Sequence, residues 1–141
     1  MKKILTLLAA LFIMVSCSLD EAPKEFQLEF LPIISVDVPE YVVPGQASTF
    51  TVYYRRPTDC YFANGFDYQA DGSTRTVALQ SIVIEDSDCL SLENTEAEHT
   101  SFQFDCPPVY NYETYLFKFY KGTDASGNEQ FLEIEVPVQQ L

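Results

Sequence analysis

The chain has no tryptophan and a single histidine, His99, among 141 residues. Lysine and arginine together number eight, against 21 aspartates and glutamates. Each shortage removes a class of function. A serine or cysteine nucleophile needs an adjacent base, and one histidine makes few such pairs. Scarce basic residues exclude nucleic acid, whose phosphates require clusters of lysine and arginine. Without tryptophan, any flat sugar-binding platform would have to rest on tyrosine. No apolar run reaches the about 20 residues that cross a bilayer. No G-x-S-x-G elbow, H-E-x-x-H helix, P-loop or C-x-x-C pair is present either. With 21 acids some carboxylate pair is inevitable, so glycosidase-type chemistry draws no support from sequence alone. No enzyme and no cofactor are expected.

What is present begins at the N-terminus. Lys2 and Lys3 precede an apolar run, Ile4–Val15, which ends in the small Ser16 and then Cys17. A basic segment, an apolar core of roughly 7–15 residues and a small residue at the cut make a secretory leader. Met14-Val15-Ser16-Cys17 resembles the lipobox of bacterial lipoproteins, matching at Ser16 and Cys17 and departing at Met14, where leucine is usual. The resemblance implies cleavage before Cys17 and acylation of its thiol, with palmitate as the label to look for. Residues 1–16 are then leader, 17–25 a lipidated cysteine and flexible tether, and 26–141 one domain. Ser18, where aspartate would signal retention at the inner membrane, implies passage to the outer one. Asp20-Glu21 resembles the acidic tags of lipoproteins that face the cell exterior, the periplasmic face being the alternative.

Cleavage removes Lys2 and Lys3, leaving six basic residues against 21 acidic ones, a net charge of −15. Such a charge opposes docking on anionic lipid, so the acyl chains are the expected membrane contact. An exported chain of this length supports a core without metal and is expected to form disulfides.

From Phe26 onward the hydrophobic pattern has period two, which reads as strands. Phe26, Leu28 and Phe30 alternate with Gln27 and Glu29; Pro32 interrupts; Ile34, Val36 and Val38 resume. A first strand broken by proline can pair with one sheet before the break and another after it. Val43-Pro44-Gly45-Gln46 reads as a type II turn. Phe50, Val52 and Tyr54 face one way, and Pro57 ends that strand. Asp71-Gly72 signals a hairpin. The next strand carries Val77 and Leu79, then Ile82 and Ile84 on the opposite parity, which suggests a bulge near Gln80-Ser81. Phe102, Phe104 and Cys106, then Tyr115, Phe117 and Phe119, then Leu132, Ile134, Val136 and Val138 complete about seven strands. The spacing predicts an all-β antiparallel sandwich. It resembles the immunoglobulin-like domains of bacterial envelope proteins, without the tryptophan that marks true antibody domains.

Strand parity also orders the cysteines. If the strand through Phe50 runs up, Cys60 lies at the top, the next strand descends to Asp71-Gly72, and Thr74–Ile84 returns Cys89 to the top. Cys106 ends a descending strand. Bridged Cα atoms lie within about 4.4–6.8 Å, whereas a six-residue strand spans roughly 20 Å. Cys60–Cys89 is therefore the expected disulfide and Cys106 a buried thiol, with Cys89–Cys106 the alternative if the parity fails.

Contacts with a partner are expected at the same upper end, where Arg55, Arg56, Tyr61 and Phe62 cluster, because tyrosine, phenylalanine and arginine favour interface hot spots. The Lys121–Asn128 loop joins them, while Phe66 and Tyr68 are expected in the core and Tyr110 and Tyr112 at the other end. Asp124–Glu129 alternates oxygen ligands like half a calcium loop but lacks the bidentate glutamate further on; a hairpin loop uses the same residue types. The functional expectation is a non-catalytic accessory subunit of an envelope uptake, secretion or barrel-assembly machine. The alternative is a carbohydrate- or ligand-binding module at the cell surface.

Overall fold

The computed structural model describes residues 25–84, 88–109 and 111–140. The leader, Cys17, most of the tether, Asp86 and Tyr110 lie outside the described residues. Eight strands follow one another: β1 (Phe26–Leu31), β2 (Ile33–Asp37), β3 (Ala47–Tyr54), β4 (Tyr61–Asp71), β5 (Thr74–Ile84), β6 (Glu98–Asp105), β7 (Thr114–Thr123) and β8 (Glu129–Pro137). They form two facing sheets and no helix among the described residues. Sheet A holds β1, β4, β5, β7 and β8; sheet B has the order β2-β3-β6.

The count exceeds seven because Pro32, which has no amide hydrogen to give a ladder, divides the first strand. β1 pairs with β5 in sheet A, and β2 pairs with β3 in sheet B. One edge of β5 is lined throughout by β4. The other meets β1 at residues 79–84 and β7 at Thr74–Val77, the latter in parallel. In immunoglobulin terms β2, β3 and β6 stand where A, B and E do, and β7 and β8 where F and G do. The exceptions are β4, which pairs with β5 and not with β7 as C does with F, and β5 itself. A constant-type domain places its fourth strand, D, with A, B and E, whereas β5 runs through the middle of the other sheet.

The expected bulge near Gln80-Ser81 is not there. β5 keeps one parity throughout: Val77, Leu79, Ser81 and Val83 are buried between the sheets, and Ile82 and Ile84 point to the outer face. The bulges fall elsewhere, between Ile33 and Ser35, between Ala63 and Phe66, and between Tyr120 and Gly122. The first of these buries Ile33 and turns Ile34 out to solvent, while Val36 and Val38 still pack against the core.

Aromatic rings dominate that core. Phe50 lies 4.5 Å from Phe117 and 5.2 Å from Phe102 between ring centroids, and Phe104 meets Tyr115 edge-on at 5.0 Å. Full burial of each such ring contributes about 1.5–3 kcal/mol. At the lower end the turn over Val43–Gln46 forms as expected: Gly45 takes φ 75°, and the Gln46 amide donates to the Val43 carbonyl at 3.0 Å. Cys106 is buried beside it, joined to Gln46 and Gly45 through backbone bonds. Burial holds its thiol above the usual range. Arg75 reaches into the same end, 9% exposed, with its guanidinium 4.8 Å from the Tyr115 ring centre and donating to the carbonyls of Gly72 and Thr74.

The two sides of the sandwich differ. Val42 bridges to Val138 and closes the β2/β8 side. The β4/β6 side stays open as a cleft of about 330 Å³ lined by Phe66, Tyr68, Phe102, Gln103, Phe104 and Asp105. At the upper end Cys60 and Cys89 form a disulfide with Cα atoms 5.6 Å apart.

Candidate functional site

The four residues expected to make contacts divide between two jobs. Arg55 Nε donates to the Thr95 carbonyl at 2.9 Å. Arg56 Nε pairs with Glu98 at 2.7 Å, and its Nη1 donates to the Tyr61 carbonyl at 3.0 Å. Arg55 therefore fastens the segment before β6 to the end of β3, and Arg56 ties the first residue of β6 to the start of β4. Tyr61 is half-buried against the core, and its hydroxyl donates to Glu29. The same segment is tied down by the Asp59 amide to Leu90, by Leu92 to Pro57, and by the disulfide.

Phe62 faces elsewhere. It pairs across β4 and β5 with Ile82, and Ile82 pairs across β5 and β1 with Leu28. Phe26 opposite Ile84 and Phe30 opposite Gln80 flank this row on the same face. The result is an apolar patch over three strands on the outer face of sheet A. Phe26 is 65% exposed, Leu28 57%, Phe62 49% and Phe30 42%. Single exposed apolar side chains are ordinary; a contiguous group across three strands is less so, and large patches of this kind are characteristic of interaction surfaces. Sequence reasoning selected Phe62 but assigned no role to Phe26, Leu28 and Phe30. The signal was in β5, whose apolar residues on both parities belong to a strand with two apolar faces.

Below this row the face continues into a hollow of about 110 Å³. Phe30, Tyr120 and Phe131 form its aromatic wall, and Asp67 and Glu129 are the two carboxylates that line it, with Gln69, Thr76 and Ala78. Phe30 meets Tyr120 at 61° and Tyr120 meets Phe131 at 71°, edge to face in both cases. That geometry offers no flat two-ring platform to a sugar. Lys118 lies 5.0 Å from the Phe131 ring centre and is paired with Glu133 at 3.1 Å. Apart from this pair and Arg56–Glu98, no ion pair occurs among the described residues.

The remaining candidates reduce to local structure. His99 lies on the outer face of sheet B, its ring 5.8 Å from that of Tyr53. Tyr53 donates its hydroxyl to Asp37 at 2.7 Å, a bond that raises the tyrosine above its usual range. In the loop after β7, Asp124 accepts from the amides of Ser126 and Asn128, from the Asn128 side chain and from Gln130. Those donors hold its carboxyl below the usual range. Its oxygens are committed to N–H groups, as a turn requires. Asp59 approaches Cys60 and Cys89 closely, but both sulfurs are bonded to each other, so neither can act as a thiolate ligand. No protein-family model, curated protein or solved structure matches the chain.

Proposed function

We propose that this chain is a non-catalytic interaction module of the bacterial cell envelope, held at the outer membrane by acylation of Cys17 and serving a larger assembly as an accessory subunit. The apolar patch on the outer face of sheet A carries this reading. An isolated domain gains nothing by leaving Phe26, Leu28, Phe30 and Phe62 in water, since covering the exposed half or so of each would return about 1 kcal/mol. Covered by a neighbour, the same side chains become binding energy.

The tether supports the placement. Phe26, the most exposed of the four, is the first residue of β1 and stands nine residues after Cys17. Nine extended residues reach about 30 Å, so an acylated Cys17 keeps the patch within that distance of the bilayer. Ser18 favours the outer membrane, and the Asp20-Glu21 pair favours its exterior face.

Metabolic labelling with palmitate, followed by extraction in a mild detergent and native electrophoresis, tests both halves. Wild type should take up label and migrate as a complex larger than itself. Cys17→Ser should lose the label. A protein that takes no label, or that migrates alone in every mild detergent, sinks the proposal.

A further inference from the structure

The hollow beside the patch narrows down what covers it. We propose that the outer face of sheet A docks a protein partner whose apolar centre covers Phe26, Leu28 and Phe62 and whose lysine or arginine side chain enters the hollow between Phe30, Tyr120 and Phe131. The inference rests on the interaction-module reading and specifies the partner's chemistry.

The hollow holds about 110 Å³, the volume of three to four waters at about 30 Å³ each. That suits the end of one long side chain. Its aromatic wall accepts the aliphatic stem, and a cation lies favourably against ring faces. Lys118 already lies over Phe131 on this face, with its own charge matched by Glu133. Asp67 and Glu129, the carboxylates in the lining, have no ion-pair partner among the described residues. A guest cation would meet both.

Other occupants fit less well, for electrostatic reasons. A second copy would bring the same carboxylates to the face and a second net charge of −15 once the leader is removed. Anionic lipid repels the chain for the same reason. A neutral bilayer could take the phenylalanines, but its ammonium headgroups lie outside the apolar layer that would hold them, so Asp67 and Glu129 beside Phe30 would be carried toward hydrocarbon, and burying an unpaired carboxylate is costly. A protein surface with an apolar middle and a basic rim satisfies both halves of the face.

The test places p-benzoylphenylalanine at Leu28 of the full chain in cells, and at Thr49 on the outer face of sheet B as a control. After irradiation the adduct is identified by mass spectrometry, and the protein found is purified and titrated against the full chain. The expected result is an adduct with another protein at position 28 and none at 49. Leu28→Asp should then weaken binding about 30-fold or more, as loss of a hot-spot contact does. Asp67→Asn combined with Glu129→Gln should weaken it about tenfold and flatten its dependence on salt. Both sets of changes lie at the surface, so folding is not at stake. An adduct with lipid, with a second copy or with nothing overturns the proposal. If Leu28→Asp abolishes binding while the carboxylate pair leaves affinity and salt dependence untouched, the interaction-module reading stands and the basic side chain is ruled out.

Discussion

On the inner face of sheet A, Val77, Leu79, Phe117 and Phe119 have no accessible surface, whereas on the outer face Phe26, Leu28 and Phe62 are about half exposed or more. The residue types are the same. What differs is the layer opposite: sheet B covers the inner face, and nothing among the described residues covers the outer one. Hydrophobic alternation along a strand therefore locates an apolar face without saying which molecule will cover it. In this chain one face is satisfied by folding, and on the function proposed above the other is satisfied by association.

The contrast predicts a graded set of responses. Phe117→Ala empties a site packed at 4.5 Å against Phe50 and 5.2 Å against Phe104, and should cost about 3–5 kcal/mol in urea denaturation. A value under 1 kcal/mol would erase the distinction between the faces. Reducing Cys60–Cys89, which joins residues 29 positions apart, should remove about 3–4 kcal/mol in the chain-entropy account; the urea midpoint with and without reductant reads this directly. Arg56→Gln breaks a partly exposed ion pair and one backbone contact, so thermal unfolding should register at most about 1 kcal/mol, smaller at high salt. Leu28→Ala, by contrast, should change stability by less than about 0.5 kcal/mol while weakening partner binding, because its side chain contributes little to the folded monomer.

The smallest effect concerns pH. Asp124 has a folded-state pKa depressed below its ordinary 3.8, so its contribution is fully present above that value and is lost as pH falls through the lower folded one. A carbon-13 titration of its carboxyl should give a midpoint below 3.8, and Asp124→Asn should flatten the acid limb of the stability curve. A midpoint at or above 3.8 would show that the loop's amide donors are not engaged in solution.

Much of the architecture was legible because it follows from local chemistry. Pro32 cannot donate to a ladder, Gly45 supplies the positive φ of its turn, and hairpin parity set Cys60 and Cys89 at one end and Cys106 at the other. The apolar patch was not legible for an equally physical reason. Period two distinguishes faces only when one of them is polar, and the apolar residues on both parities of β5 look the same as a strand that slips by one residue. The arginine clasp was hidden too, since Arg55 and Arg56 reach Thr95 and Glu98 only across about 40 residues of sequence.

The crossing at Pro32 has a mechanical consequence. Tension entering at Phe26 runs along the axis of β1, which lies antiparallel to β5 over Phe26–Leu31, and then passes through Pro32 into β2 on β3. A load in that direction shears a row of hydrogen bonds together instead of opening them one at a time. It is also divided between two sheets before it reaches the aromatic interior. A domain pulled by its first strand would resist unfolding through this arrangement.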